Sequence, residues 1–511
     1  MNSPHQISRR LLLAATTGIA AASGLPTGEA QSQALPASGP RRFPFTLGVS
    51  SGHPTDSGVV LWTRLAPDPY ALDGGLSGPG ASGIPVRWEL AKDASFEEVV
   101  DRGTVMARAE FAYSVHVTVS GLDENSWYFY RFRAGNHVSR VGRTRTLPGQ
   151  DQTVDQLTFA VVSCQRFEHG WWTGYRDMQT KGVDLVVHVG DYIYENFYTG
   201  TPREAEVPAD QRITVKSLEQ YRQRHALYRL DPMLQDMHAH APFVVIPDNH
   251  DAVEDGDAAR LAQREIGYRA LYEHLPLPAD ALPEGPSMQI FRSFDYGTLA
   301  RFYLLDTRQF RDHEQVCGSS GIVGSACADV SSPARTMLGA PQEMWLERQL
   351  SASSATWNVL TNTVLFAPFD FSSTGQRQIY YASWDGYPAN RARVLDQVTR
   401  SAARNPVVLS GDWHTHFALD VNDSSGRTVM PEFMVTAMGS NPGFTAAFSG
   451  PAVPHNANVR FYEESRGYLL CTVSPDRWRA DFITSDCTRK DGRSRIAATR
   501  YVDNGNPSMH A

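Results

Sequence analysis

Residues 183–199 read VDLVVHVGDYIYENFYT, and this stretch decides how the larger part of the chain is built. Its first part, residues 183–189, is an almost continuous apolar run, which is typical of a strand covered on both faces. The run stops at a glycine, and Asp191 and Tyr194 follow at once. Functional side chains of α/β sheets collect just beyond the strand ends. The stretch therefore predicts a buried strand that delivers polar groups to a site, while His188, inside the run, is interpreted as structural.

The same arrangement recurs between residues 156 and 500. Apolar runs end in polar residues and alternate with helical patterns near 170–181, 216–238, 341–352 and 389–404. We therefore expect an α/β (α+β) catalytic domain over 156–500. The other runs are LTFAVVSC (157–164), FVVIPDNHD (243–251), LARFYLLDTR (299–308), WNVLTNTVLF (357–366) and PVVLSGDWHTH (406–416).

The chain before this domain has a different pattern. Residues 43–147 contain short alternating runs separated by turn residues, which predicts an all-β sandwich domain of about 100 residues. The part SVHVTVSGLDENSWYFYRFRAG (114–135) looks like the later strands of a fibronectin type III module. At the other end, residues 501–511 are polar and are expected to form a C-terminal tail.

The first 34 residues are interpreted as an export signal. SRRLLLAATTGIAAASG (8–24) places Arg9 and Arg10 before a short apolar stretch, which is typical of a Tat signal; an ordinary Sec signal is the alternative. We expect the Tat translocase as a transient partner and a secreted, periplasmic or cell-surface protein.

Composition excludes some partners. The chain has 511 residues and a net charge of −8, with no strongly basic run after the signal. Nucleic acids and anionic membranes bind to surfaces with clustered lysine and arginine, so nucleic-acid binding is not expected as the main role of this acidic chain. The protein is expected to act as a monomer.

The chain has five cysteines, so an exported protein could form two disulfides and would leave one cysteine unpaired. Cys317 and Cys327 flank a glycine- and serine-rich loop, and Cys471 and Cys487 lie near the C-terminus; neither pairing follows from the sequence. Cys164 is left over at the end of a predicted strand. It is either a buried inert thiol or a metal ligand.

Four of the predicted strands end in residues that bind metals. Convergence of the strand ends would bring thiolate, carboxylate, phenolate, amide and imidazole groups together. Thiolate and phenolate suit a ferric ion or a similar Lewis acid, and carboxylate and amide oxygens suit a harder divalent ion. The residues are Cys164, Asp191, Tyr194, Asn249, His250, Asp412 and His414.

This pattern resembles the calcineurin-like metallophosphoesterases, and within them the PhoD-type alkaline phosphatases and phosphodiesterases. The resemblance covers nearly the whole chain. It rests on the twin-arginine signal, the sandwich-like N-terminal domain and the motifs SCQ (163–165), GDYIYE (190–195), DNHD (248–251), LLDTRQFR (304–311), SWDGYPANRAR (383–393) and SGDWH (410–414).

The resemblance implies a ferric ion and, at a second site, Ca²⁺. Asp191 matches the carboxylate that bridges two metals, and Tyr194 matches a phenolate ligand of iron. Cys164 stands where PhoD-type proteins carry an iron-binding cysteine, and His414 matches the last histidine ligand. Asp412 stands where the common pattern has another histidine, which favours Ca²⁺ over Zn²⁺ at the second site.

Four further roles come from the DNHD motif and from two arginines. Asn249 matches an amide ligand, although PhoD-type sequences more often have an acidic residue there. His250 matches the residue that contacts phosphate or protonates the leaving group. Arg166 and Arg308 are candidates for binding phosphate oxygens; Arg308 has a salt bridge to Asp306 as its alternative.

The expected function is that of a secreted alkaline phosphatase. Hydroxide activated by the metals would attack the phosphorus of a small-molecule or lipid phosphomonoester. Phosphodiesterase activity, including a phospholipase D-like action on lipid head groups, is the alternative because family members do both. An exported, metal-stabilised binding protein and a metal-dependent hydrolase of other substrates are further alternatives.

Overall fold

The computed structural model describes residues 39–76, 83–252, 258–318, 321–373 and 375–511. Within these ranges, two large β-sheets face each other, and helices cover the outer face of each sheet. A β-rich N-terminal region precedes them. The expectation of a mixed α/β protein with an N-terminal domain is confirmed. The expected signal segment, residues 1–34, lies outside the described residues.

The first sheet has a parallel centre. Its strands, in spatial order, are β23 (Ser494–Asp503), β22 (Arg477–Ser485), β21 (Gly467–Val473), β9 (Leu157–Val162), β10 (Leu185–Val189), β11 (Phe243–Ile246), β1 (Val49–Gly52), β2 (Gly58–Arg64) and β5 (Ser114–Ser120). The run that opened the sequence analysis is β10, which lies between β9 and β11 with all five residues buried.

The second sheet faces the first across a shared core. Its strands, in spatial order, are β12 (Arg292–Tyr296), β13 (Ala300–Leu304), β15 (Trp357–Thr361), β17 (Pro406–Ser410), β19 (Thr428–Met434), β18 (His416–Asn422) and β20 (Val459–Glu463). Successive side chains of a strand point to opposite faces. Val407 and Leu409 therefore join the core between the sheets, and Val408 joins the core beneath the helices. Coverage on both faces explains the continuous apolar runs.

Seven helices complete the two outer layers in the described part of the chain: α1 (Thr173–Met178), α2 (Leu218–Arg229), α3 (Pro232–His240), α4 (Ala258–His274), α5 (Gly339–Ser351), α6 (Pro388–Arg400) and α7 (Gly443–Ala452). The helical pattern at 216–238 is split because Asp231 caps α3 by accepting from the N–H groups of Met233 and Leu234. Helices α4 and α7 were not predicted.

The N-terminal region is a sandwich that shares a sheet with the rest of the molecule. Its outer sheet contains β4 (Val99–Ala107), β3 (Ile84–Ala91), β6 (Trp127–Ala134) and β7 (His137–Val138), and β8 (Gly142–Arg145) pairs with β6. This sheet encloses a separate core with β1, β2 and β5. Because β1 pairs in parallel with β11, at Gly52 and Phe243, the sandwich expected over 43–147 continues directly into the first sheet.

Three smaller features complete the fold. A two-stranded sheet of β14 (Val323–Ser325) and β16 (Gln378–Tyr380) lies near a disulfide between Cys317 and Cys327. The alternative pair is not formed: Cys471 lies in β21 opposite Ala480, and Cys487 lies beyond the end of β22, so both are free and buried. The segment expected as a tail starts within β23, and Tyr501 pairs with His510.

None of the described helices combines the length and the apolar character of a membrane-spanning segment.

Candidate metal centre

Strand ends from both sheets meet at one edge of the central sandwich. In the first sheet, β9, β10 and β11 are parallel, and in the second sheet β13, β15 and β17 are parallel. Carboxyl ends of parallel strands lie along one edge of a sheet, so the residues that follow them are neighbours. The side chains delivered in this way belong to Cys164, Asp191, Asp248, Arg308, Thr363 and Asp412.

The backbone turns sharply at the residues that the sequence singled out. Cys164, Asp191, Asp412 and His414 have φ values of 54°, 56°, 69° and 56°, in the left-handed region that residues with a Cβ rarely adopt. Such conformations cost free energy and persist where the surrounding structure enforces them, often at functional sites. Here the N–H of Cys164 donates to the carbonyl of Gly190, which joins two of the turns.

The first cluster contains a thiol, a carboxylate, an imidazole and a phenol. Ligand atoms of Cys164, Asp191 and His414 all lie within 4.8 Å of one another. The Tyr194 hydroxyl is 3.1 Å from Nε2 of His414, and Cys164 Sγ is 3.6 Å from Oδ2 of Asp191. On its other side, the His414 ring is fixed by Nδ1, which lies 3.3 Å from the carbonyl oxygen of Asn441.

A second cluster adjoins the first and is built around Arg308. Its guanidinium forms a bidentate pair with Asp248, in which Nη2 lies 2.8 Å from Oδ2. The same Nη2 reaches Asn249 Oδ1 at 3.3 Å and Asp412 Oδ1 at 3.4 Å. The Thr363 hydroxyl donates to Asp248 at 2.6 Å. Towards Asp306, the hydrogen bond comes from the Arg308 backbone N–H, so the alternative of an Arg308–Asp306 salt bridge is wrong.

His250 lies at the accessible side of the two clusters, with 24% of its side chain exposed. Its Nδ1 is 2.6 Å from Oε2 of Glu195, and its ring is 4.3 Å from the Tyr194 ring. Its backbone N–H donates to Asp191. Burial lowers the pKa of His250, but the charges of Asp191 and Glu195 outweigh it and raise the pKa to about 9. Nε2 has no hydrogen-bond partner among the described residues.

Arg166 lies against the first cluster but is turned towards aromatic rings. Its guanidinium carbon is 3.8 Å from the centre of the Tyr194 ring and 4.6 Å from that of Tyr198. Nη1 is 3.2 Å from Oε1 of Glu168, and only 4% of the side chain is exposed. This cation thus lies beside the phenol of Tyr194.

The electrostatics of the clusters fit a bound cation. Burial, with the charges of Asp191 and Asp412, raises the pKa of the Cys164 thiol well above its usual value. Burial, with the charge of Asp191, does the same for Tyr194. Asp412 has a raised pKa for similar reasons, and its buried Oδ2 has no hydrogen-bond partner among the described residues. A bound cation would favour the anionic form of each of these groups and so offset the effect of their burial.

Burial also lowers the pKa of His414 to about 3, so the ring is neutral and can donate a lone pair to a metal. The donor set of Cys164, Asp191, Tyr194 and His414 is therefore suited to a strong Lewis acid. Asp412 and Asn249 offer oxygen donors of the kind that harder divalent ions prefer. All nine residues expected at the site lie in or against this one region.

Some residues of the site carry no role in the sequence analysis. Glu195 holds His250, Asp248 holds Arg308, and the Asn441 carbonyl holds His414. Thr363 in turn holds Asp248. Asp248 and Thr363 follow predicted strands, so the position of strand ends was a usable signal for them. Asn441 has no such signal, because it lies in a loop between β19 and α7.

Comparison with known proteins agrees with this arrangement. The family model for the PhoD-like phosphatase matches residues 159–482, and the model for the PhoD-like phosphatase N-terminal domain matches residues 29–148. Alkaline phosphatase D of Bacillus subtilis (strain 168) is 40% identical over 481 residues, which cover 90% of this chain and 81% of the relative. A solved structure of PhoD is 38% identical, covers 92% of each chain and superposes with a TM-score of 0.84.

These matches extend through both the N-terminal region and the part of the chain that contains the two side-chain clusters. Because the sequence identity is this high over nearly the whole chain, this protein shares both the fold and the class of enzyme activity of these relatives. The chain is a phosphoric ester hydrolase and belongs to the PhoD-like phosphatase family.

Proposed function

We propose that this phosphoesterase is a metal-dependent alkaline phosphatase that acts on phosphate monoesters and has the fold of the calcineurin-like metallophosphoesterase superfamily. The observation that carries the proposal is the cluster of Cys164, Asp191, Tyr194 and His414, whose metal-ligating groups are buried together, with the pKa values of the Cys164 thiol and the Tyr194 phenol raised by burial and by the charge of Asp191. We propose that the residues of this cluster would hold Fe³⁺ and that Asp412, Asn249 and Asp191 would hold Ca²⁺. Metals held there would supply Lewis acidity to the phosphoryl oxygens and acidify water.

Three side chains of the site have separate roles in this proposal: positioning the metal ligands, binding phosphate and donating a proton. The charge of Arg308 is shared with Asp248, so we assign it to holding Asp412 and Asn249 in place. Arg166 lies beside the Tyr194 ring and contributes positive charge towards a bound phosphate. His250, protonated at neutral pH, presents Nε2 to the leaving alcohol and donates a proton to its oxygen.

The test uses purified protein and two chromogenic esters. We expect nitrophenol release from a phosphate monoester to exceed release from a diester, and both to be lost on treatment with a calcium chelator and restored by Ca²⁺. Faster release from the diester would favour the phosphodiesterase alternative. Absence of release from protein shown to contain its metals would favour the binding-protein alternative.

Cys164 and Cys471 provide a matched pair of variants because both are buried thiols. Cys164→Ala should abolish iron binding and most of the activity, whereas Cys471→Ala, in the core of the first sheet, should preserve both. Equal effects of the two changes would contradict the assignment of Cys164.

We also propose that the protein is exported by the Tat pathway to the cell surface or beyond. The support is the sequence of residues 1–34 alone. Replacing Arg9 and Arg10 with lysine should retain the protein in the cytoplasm, as measured by cell fractionation; unchanged export would point to the Sec pathway.

A further inference from the structure

A cavity of about 230 Å³ lies where the N-terminal sandwich meets the two large sheets. None of the metal-centre residues lines it. We call it the junction cavity; its lining comes from the loop after β1, the connection after β8, and strands β11, β12 and β13, and includes His53, Leu147, Pro148, Arg292, Phe294 and Asp295.

Arg292 brings a positive charge to the junction cavity; the charge of Asp280 acts on it, but the described structure contains no ion pair between the two side chains. Its Nη1 donates to the carbonyl of Ile290 at 3.1 Å, and its Nη2 lies 3.5 Å from the carbonyl of Val245. Two backbone oxygens leave most of the five N–H donors of a guanidinium unused. Within the described part of the chain, Arg292 takes part in no ion pair, although the protein as a whole has a net charge of −8.

His53 adds an unused polar group to the same cavity. It has a φ of 45°, so the backbone turns sharply as the chain leaves β1. Its imidazole makes no hydrogen bond to any described residue. Burial and the charge of Arg292 lower the pKa of His53 to about 4, so the ring is neutral at physiological pH and offers one N–H donor.

The carboxylates of the junction cavity have partners of their own. Asp295 is 3.5 Å from Arg301 and accepts from Gln150 at 3.0 Å. Asp56 accepts from the neighbouring Ser57 hydroxyl at 2.9 Å. The available donors of Arg292 and His53 therefore face a cavity whose acidic groups are already engaged. A concave site with an apolar wall and a few convergent polar groups is typical of small-molecule binding.

We propose that the junction cavity binds a small organic oxyanion through Arg292 and His53, with the apolar body of the ligand against Leu147, Pro148 and Phe294. A phosphoryl or carboxylate head group would meet the free N–H donors of the guanidinium and the imidazole. The volume limits the ligand to a compact molecule. Because the lining comes from both the sandwich and the sheets, the bound ligand fastens the two parts together.

Phenylphosphonate is a suitable probe because it combines a phosphoryl head with one ring and is not an ester. Isothermal titration should detect a site in the wild type that Arg292→Met removes, with at least about a 10-fold loss of affinity. Arg87→Met, which removes an exposed arginine on β3, should retain that site and controls for net charge. Identical isotherms for the wild type and Arg292→Met would overturn the proposal.

Two further measurements separate this site from the metal centre and from misfolding. Inhibition of ester hydrolysis by phenylphosphonate should be equally strong in Arg292→Met and the wild type, because no metal-centre residue changes. His53→Asn keeps a residue that tolerates left-handed backbone and should weaken the same site without loss of thermal stability. Full affinity in a folded His53→Asn protein would contradict the role of the imidazole. The comparison between variants holds whether or not the protein hydrolyses any given ester.

Discussion

Tyr194 is the residue that best distinguishes a metal centre from an ordinary buried polar cluster. Its hydroxyl lies 3.1 Å from His414 Nε2, and its phenol is held among groups that already raise its pKa. Replacing Tyr194 with phenylalanine should remove one ligand, lower metal content and eliminate any visible absorption that arises from tyrosinate bound to ferric iron. Metal analysis and absorption spectra measure this, and we expect metal affinity to fall by about 10–100-fold or more.

Tyr192 gives the matched control for that change. It is equally buried and two residues away, but its hydroxyl lies 2.8 Å from Nε2 of His238, on the side of the core. Tyr192→Phe should therefore leave metal content and the spectrum unchanged. An unchanged spectrum in Tyr194→Phe would exclude Tyr194 as a ligand.

In the proposed mechanism, Glu195 orients the ring of His250, which donates the proton. Oε2 of Glu195 lies 2.6 Å from Nδ1 of His250, so Nδ1 is occupied by this hydrogen bond. Nε2 is then the nitrogen that can donate a proton to the leaving group. We expect Glu195→Gln to lower kcat for alkyl phosphates by about 10–100-fold, since a poor leaving group needs protonation. Nitrophenyl phosphate, whose leaving group departs as an anion, should lose little. Steady-state kinetics on both esters measure the difference.

Equal losses on the two esters would contradict this role for Glu195. They would indicate that Glu195 supports the site in general, for example through the turn that also contains Asp191 and Tyr194. A Glu195→Asp variant should restore part of the alkyl phosphatase activity if an acidic partner for His250 is the requirement.

At the scale of elements, Gly190 shows why β10 ends where it does. Its φ is 102°, and a Cβ built there would lie 2.3 Å from the Cβ of Asp248 at the end of β11. Gly190→Ala should strain the turn and displace Asp248 from Arg308. We expect a loss in free energy of unfolding on the order of 3 kcal/mol, measured by urea denaturation.

Gly182 controls for the backbone conformation alone. It also has a positive φ, of 64°, but nothing lies within 4 Å of the position of its Cβ. Gly182→Ala should cost only about 1–2 kcal/mol. If the two glycine variants lose the same stability, the contact with Asp248 is not what requires a glycine at 190.

The strand ends could be predicted from the sequence because the relevant signals are local. A strand covered on both faces must be apolar throughout, so LVVHV of β10 contrasts with the polar residues that follow it. The same contrast marked Cys164 after β9 and Asp412 after β17. Parallel order then brings these ends together without any knowledge of loop conformation.

Other features depend on contacts that are distant in the chain, and the sequence did not predict them. β1 has only four residues and pairs along its whole length with the neighbouring β2, but its place beside the parallel strands depends on its bridge to β11, nearly two hundred residues later. Glu195 and His250 are brought together in the same way. Cys471 and Cys487 were plausible partners by position, but the register of β21 against β22 places Ala480, not Cys487, opposite Cys471.

At the scale of the whole molecule, the buried interior contains more histidines than the metal centre uses. His188, His225, His238 and His274 are fully buried between the first sheet, α2, α3 and α4. The rings of His225 and His274 stack at 4.8 Å, and neither nitrogen of His188 or His225 has a hydrogen-bond partner in the described structure. Burial holds these rings neutral, so the fold depends on their remaining unprotonated.

Acid should therefore destabilise the protein before its carboxylates titrate. Burial lowers the pKa of His188 and His225 from 6.5 to about 3, so below pH 6.5 the unfolded chain binds protons that the folded chain does not. The free energy of unfolding is therefore not reduced by these histidines above pH 6.5. It falls as the pH decreases from 6.5 towards 3, by about 1.4 kcal/mol per pH unit for each histidine. Urea denaturation between about pH 6.5 and pH 5 measures the slope. His188→Gln should reduce this slope by one histidine's share. A slope unchanged by His188→Gln would show that this ring takes up its proton without unfolding.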